Sequence, residues 1–241
     1  MEYELENRPS YAVASVTLSP GEELTTEAGA MVSHTETIRM ETGIGDADEG
    51  FLESIKDSVL GDESLFRNRF TTEGGDGVVQ IAATTPGDMT ARELDGDSVY
   101  VQSGAYEAAG SGVELDTDVG GLDTLFGGEG LFLLKASGTG PLFLSAFGGI
   151  QEHEVGAGEV FTVDSGHVVA WDASMDYNTE RIGGMKETLF SDEGLVMRFT
   201  GPGTVLLQTR NYGDFVSDLA SRLPSSNSGD GGADVEVGGD I

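Results

Sequence analysis

Three short stretches, Ala28-Gly29-Ala30-Met31-Val32, Ser103-Gly104-Ala105-Tyr106-Glu107 and Ser165-Gly166-His167-Val168-Val169, decide how the rest of this chain is read. In each, a small residue and a glycine lead into a run that suits a strand. A turn sequence precedes each one, as Ser19-Pro20-Gly21-Glu22, Thr85-Pro86-Gly87-Asp88 and Gly156-Ala157-Gly158-Glu159. A third element follows, as Gly61-Asp62-Glu63-Ser64-Leu65-Phe66, Gly127-Gly128-Glu129-Gly130-Leu131-Phe132 and Ser191-Asp192-Glu193-Gly194-Leu195-Val196. The order is the same three times. Pro20, Pro86 and Ala157 lie 66 and 71 residues apart, and Glu63, Glu129 and Glu193 lie 66 and 64 apart. Self-similarity at a fixed period signals units that each bury an apolar face only by stacking on their siblings.

Between these markers the apolar residues alternate or run briefly, as in Val78-Val79-Gln80-Ile81, Val99-Tyr100-Val101, Leu131-Phe132-Leu133-Leu134 and Val205-Leu206-Leu207. Such runs, bounded by Gly, Asp and Ser clusters, read as strands. The expected fold is therefore all-β, with three tandem diverged β-repeats at about 1–76, 77–143 and 144–212. Each repeat is expected to be a short double-stranded β-helix or sandwich unit. Two segments carry helical spacing instead: Phe51, Leu52, Ile55, Val59 and Leu60 within 48–60, and Tyr212, Phe215, Val216 and Leu219 within 211–222. Both are expected to be short amphipathic helices, packed on the core or on a partner. Residues 1–223 then form a single triplicated domain. The Ser, Gly and Asp-rich stretch 224–241 reads as a disordered acidic tail.

Charge is the loudest compositional signal. The 241 residues hold 43 Asp and Glu against 12 Lys and Arg, a formal net charge of −31. Such a surface repels itself in dilute buffer, whereas at about 1 M salt the screening length falls to about 3 Å. Lys occurs only at 56, 135 and 186. The strong apolar patterning separates this chain from disordered acidic sequences, so the expectation is the solvated surface of a salt-adapted protein. The same charge argues against nucleic acid, whose phosphates need Lys and Arg. There is no cysteine, which excludes disulfides, thiolate metal sites and cysteine nucleophiles. The amino terminus lacks a signal-like pattern, and no apolar stretch has the length of a membrane span. A cytoplasmic location is expected, with no stable membrane insertion.

The string Ser19-Pro-Gly-Glu, Glu27-Ala-Gly-Ala-Met-Val, Gly61-Asp-Glu-Ser-Leu-Phe, Val163-Asp-Ser-Gly-His-Val-Val-Ala-Trp-Asp172, Glu193-Gly-Leu, Phe199-Thr-Gly-Pro-Gly203 and Gln208-Thr-Arg210 resembles the altered-inheritance-of-mitochondria protein twenty-four family. The resemblance spans about residues 1–212. It implies three repeats similar to the unit of the tryptophan RNA-binding attenuation protein, and a homotrimer. It implies no established activity for bacterial and archaeal members. The link of fungal relatives to the mitochondrial inner membrane transfers poorly to a chain without a targeting segment.

The histidines, His34, His153 and His167, invite a cupin-type metal site, which needs two or three His and a carboxylate converging in a barrel. Their spacing is not compact, and on a strand Asp164 and His167 would face opposite ways. No metal or cofactor is expected. Gly127-Gly-Glu-Gly130 and Gly138-Thr-Gly140 lack the Lys and Ser/Thr of a phosphate loop and read as hairpin turns. No Gly-x-Ser-x-Gly is present, and Ser165 beside His167 is not triad geometry. Arg210, after the apolar Val-Leu-Leu run, is expected to hold a buried or intersubunit carboxylate, or else an anionic ligand. Arg210, His167 and Trp171 are the candidate ligand or interface residues. The leading expectation is a non-enzymatic oligomeric scaffold whose protein partner is unidentified. The alternative is a small-molecule or metal-binding cupin-like protein with its site between repeats.

Overall fold

The computed structural model describes residues 1–43, 67–116, 133–180 and 195–223. The segment 48–60, the tail 224–241, and the third recurring element at 61–66, 127–132 and 191–194 lie outside them. The described residues are mostly strand: β1 (Glu2–Glu6), β2 (Val13–Leu18), β3 (Glu23–Glu27), β4 (Met31–His34), β5 (Ile38–Gly43), β6 (Arg67–Thr72), β7 (Gly77–Ala82), β8 (Gly87–Gln102), β9 (Tyr106–Gly110), β10 (Val113–Asp116), β11 (Leu133–Phe147), β12 (Ile150–Val155), β13 (Val160–Asp164), β14 (Val168–Asp172), β15 (Asp176–Glu180), β16 (Val196–Thr200) and β17 (Gly203–Gln208). One helix follows, α1 (Tyr212–Arg222). It is not long and apolar enough to cross a membrane.

The period-two pattern sets each strand's buried face. In β2, Ala14, Val16 and Leu18 are buried and their neighbours are not; β7 does the same through Val79 and Ile81. Strands assemble into a four-stranded sheet, β1-β2-β7-β4, and a three-stranded sheet, β13-β16-β15. The remaining strands form a ten-stranded sheet, β12-β17-β14-β8-β11-β9-β3-β6-β5, with β10 added on β11. The long strands β8 and β11 pair antiparallel with each other over nearly their whole length. Their pairing is irregular between Ser137 and Thr139, where Gly138 takes φ +122°. A Cβ on Gly138 would collide with the Gly112 carbonyl, and one on Gly112 with the Thr139 carbonyl. Only glycine allows two backbones this close.

One pairing scheme occurs in three successive stretches. In 13–82, β7 pairs with β2 and β4, while β6 pairs with β3 and β5. In 150–208, β17 pairs with β12 and β14, while β16 pairs with β13 and β15. In 87–147 the two halves of β8 and of β11 fill those places, together with β9 and β10. Three apolar clusters accompany the stretches, centred on Phe70 and Phe143, on Leu134 and Leu142, and on Trp171 and Phe199.

The pairing corrects one detail of the sequence reading. Ser19–Glu22 joins β2 to β3 and Gly156–Glu159 joins β12 to β13, but Thr85–Asp88 lies ahead of that turn, where β8 begins. The matching turn inside β8 is at Asp95-Gly96-Asp97, with Gly96 at φ +81° alongside +93° at Gly21 and +76° at Gly158. Conformation, not the Pro-Gly dipeptide, marks the equivalent place.

Helix α1 is where the second amphipathic pattern placed it. Asn211 caps it, its side-chain oxygen accepting from the Asp214 N–H at 3.3 Å, and Arg222 pairs with Asp218 one turn back. Phe147 holds the first turn, with ring centroids 5.6 Å from Tyr212 and 5.2 Å from Phe215.

Candidate functional site

The recurring Asp164-Ser165-Gly166-His167 and the Gln208-Thr209-Arg210 motif meet at one cleft of about 500 Å³, between β12, β13 and β17. Its walls include Gln151, Phe161, Asp164, His167, Gln208 and Arg210. Ser165–His167 is not strand but a 3-10 turn, so Asp164 and His167 sit at the turn's two ends. The Asp164 carboxylate accepts from the Gly166 N–H at 2.9 Å. The His167 Nδ1 lies 2.7 Å from the Gln208 carbonyl. A carbonyl only accepts, so Nδ1 carries the proton of this contact, and Nε2 is left for another partner.

Gln208 ties the floor together: its Nε2 donates to the Gly166 carbonyl at 2.8 Å, and its Oε1 accepts from the Phe147 N–H at 3.0 Å. Thr209 exchanges hydrogen bonds with Gly149 in the same way. Arg210 is exposed, and its Nη1 donates to the Thr209 carbonyl at 2.7 Å. Within the chain it grips backbone, where the sequence suggested a carboxylate. Behind the cleft the His153 ring stacks on Phe161, centroids 3.8 Å apart and planes 18° apart. Chemically, the cleft offers one imidazole and guanidinium donors beside an aromatic wall. Among the described residues, no three His, Asp or Glu gather as a metal site.

Trp171 belongs elsewhere. It is fully buried in the third apolar cluster, against Tyr100 at 5.3 Å, Tyr177 at 5.0 Å and Phe199 at 5.4 Å. Its Nε1 has no hydrogen-bond partner among the described residues. It is a packing residue, and the neighbouring Asp172 does the polar work, pairing with Arg92 at 2.6 Å and accepting from the Thr204 N–H.

A second constellation escaped the sequence reading. Where β9 packs on β3, Glu27, Arg67, Tyr106 and Glu107 come together. Glu107 is 3% exposed and Arg67 8%. Burial pushes the Glu107 carboxyl up to about 8; a hydrogen bond with Ser145 pulls it down and the Glu27 charge pushes it up. Burial likewise raises Glu27 to about 7, against the pull of Arg67. The Arg67 guanidinium lies 5.9 Å from the Tyr106 ring centre, and the Tyr106 hydroxyl donates to the Thr25 carbonyl at 3.1 Å. The available signal was a single acidic residue inside the small and apolar strand Tyr106-Glu-Ala-Ala-Gly110.

A family model described as AIM24, mitochondrial biogenesis AIM24, matches residues 3–210. An uncharacterised protein of Streptococcus pyogenes serotype M6 is 28% identical over 232 residues, covering 94% of this chain and 93% of that protein. The X-ray crystal structure of a Streptococcus pyogenes protein superposes with a TM-score of 0.75 at 27% identity, covering 92% of this chain and 99% of that one.

Proposed function

The chain belongs to the AIM24 family, and we propose that it is a non-enzymatic scaffold, built from three diverged copies of one β-unit similar to that of the tryptophan RNA-binding attenuation protein. We further propose that it works as a homotrimer in the cytoplasm of a salt-adapted cell, without nucleic acid or stable membrane insertion. The pairing scheme shared by 13–82, 87–147 and 150–208 supports three units, with boundaries a few residues beyond those drawn from the sequence.

The observation that carries the scaffold reading is the apolar stripe of α1. Tyr212, Phe215, Val216, Leu219 and Leu223 recur at helical spacing, and each is 42 to 61% exposed. On a chain of net charge −31, a contiguous exposed apolar stripe marks a surface that another protein covers. The hydrogen bonds that Gln208, Thr209 and Asp164 make to nearby backbone support a structural role for the cleft floor.

Light scattering in about 1 M KCl, where surface repulsion is screened, should give a mass near three times the 25.2 kDa chain, and less in dilute buffer. Replacing Phe215 and Leu219 by Asp should lower the mass in molar KCl. A monomer under both conditions would overturn the reading. The cleft sustains a second reading, a site for a small anionic molecule between His167 and Arg210. It requires a stoichiometric ligand in purified protein, lost on His167→Ala or Arg210→Ala.

A further inference from the structure

The three stretches can be laid over one another residue by residue. Glu27, Gln102 and Asp164 end β3, β8 and β13, and Met31, Tyr106 and Val168 begin β4, β9 and β14. Ala30, Ala105 and His167 therefore hold one place, at the end of the intervening turn. Leu24, Val99 and Phe161 hold another, three residues before those strand ends. Pairing fixes a second set, since Met31 lies opposite Ile81, Tyr106 opposite Leu144 and Val168 opposite Leu207. The next residues, Ala82, Ser145 and Gln208, are then equivalent, and two further along so are Thr84, Phe147 and Arg210.

The cleft of the third stretch is thus built from places that its siblings fill differently. Where they have two alanines it has His167, where they have Ala82 and Ser145 it has Gln208, and where they have Thr84 and Phe147 it has Arg210. Ala30, Ala105, Leu24 and Val99 are buried, whereas His167 and Phe161 are half-buried and line the opening. Divergence at these places has exchanged small packing residues for longer polar ones around one wider ring, and about 500 Å³ is a volume that suits a small molecule.

A place that merely faces water would, in a chain with 43 acidic residues, be expected to carry Asp or Glu. Asp164 is the one carboxylate on these walls, and it already accepts from the Gly166 N–H. The arginines make the contrast sharper. Arg8, Arg39, Arg69, Arg92, Arg198 and Arg222 each pair with a carboxylate of the chain. Arg210 pairs with none among the described residues. Its Nη1 is held by the Thr209 carbonyl, which leaves the edge formed by Nε and Nη2 to take a carboxylate in two parallel hydrogen bonds.

We propose that the cleft binds a small monocarboxylate with a flat apolar body, its carboxylate on Arg210 and its body on Phe161. The proposal rests on the second reading above, of an anion between His167 and Arg210, and names the chemical class. Phe161, stacked on His153, supplies a flat apolar surface. The Nε2 of His167 remains for a polar substituent of the ligand. Charge selects a singly charged group over a phosphate, because Asp164 on the same cleft and the net charge of −31 oppose each added negative charge. Gln208 and Thr209, tied to the backbone of Gly166, Phe147 and Gly149, hold the floor in place before the ligand arrives.

Benzoate is the probe, titrated against the full chain in molar KCl and followed by saturation transfer from protein to the ring protons. Transfer should saturate, and Arg210→Gln should raise the half-saturating concentration about tenfold, the loss of one charged hydrogen-bonding partner. Phe161→Leu, which installs the residue of the first stretch, should weaken benzoate several-fold while urea unfolding shows both variants folded. Benzyl alcohol should bind the parent no better than benzoate binds Arg210→Gln, and inorganic phosphate should displace benzoate poorly. Benzoate binding equally to the parent and both variants would overturn the site. Phosphate displacing benzoate at low concentration, with the effect lost in Arg210→Gln, would overturn the monocarboxylate class and leave the anion reading standing. No saturation with benzoate and no binding of phosphate would end both.

Discussion

Replacing Glu107 by Gln is expected to make the protein more stable at alkaline pH and to change it little in acid. The side chain is 3% exposed, and burial holds its carboxyl at about 8 in the folded state against 4.5 ordinarily. The sign follows from linkage: an acid whose pKa is raised by folding favours the fold while it is protonated. Stability is then lost as pH climbs from about 4.5 through about 8. One pKa unit corresponds to about 1.4 kcal/mol, so the full shift sets a ceiling of about 5 kcal/mol; water reaching the ionised group will reduce it to a few. The amide keeps the shape and removes the titration. Urea unfolding of both proteins in molar KCl from pH 4.5 to 9 isolates this group together with its coupling to Glu27, because the remaining carboxylates cancel in the difference. The variant's advantage should grow with pH over that interval and level off at its top. A variant less stable than the parent at pH 8.5 would refute the reasoning, and would mean that Glu107 is ionised and paired in the folded state.

Trp171→Ala removes the largest side chain of the third apolar cluster and should cost about 3 to 5 kcal/mol in urea unfolding. Because Trp171 is the only tryptophan, the parent's emission should be blue-shifted and should red-shift in step with unfolding of that cluster. Asp88 is 2% exposed and bound by Arg8 at 2.8 and 3.0 Å and by the Met89 N–H at 2.9 Å. Burial alone would raise its carboxyl, but these donors outweigh it and hold it below the usual carboxylate range. Asp88→Asn should cost about 1.5 to 3 kcal/mol at pH 7. Measured by thermal unfolding, that cost should shrink as pH falls through the folded pKa, the opposite trend to Glu107.

Strand identity was legible wherever one face is dry, because alternation in Val78-Val79-Gln80-Ile81 leaves little choice of register. The Tyr212–Leu219 spacing gave the helix for the same reason. Equivalence between stretches was harder to read. Pro86-Gly87 copies Pro20-Gly21 in residue type, yet the turn that matches in geometry is built by Asp95-Gly96, since a positive φ needs only the glycine. His167 and Arg210 were singled out one by one, and only tertiary pairing of β13 and β17 neighbours brings them to one cleft. The buried carboxylates stayed hidden, because in so acidic a chain Glu27 and Glu107 look like two more solvated residues until β3 meets β9.

Two strand junctions, β3 with β9 and β8 with β14, share one pairing register but are chemically unlike. Where the first holds Glu27, Arg67 and Glu107, the second holds Gln102, Leu133 and Val169, beside the Tyr100 and Trp171 rings. A ring made from separate identical units must use one seam everywhere, and any substitution is multiplied around the whole circle. Two seams within one polypeptide are free of that constraint, so each can differ in chemistry. The first is titratable and the second aromatic, although one pairing register builds both.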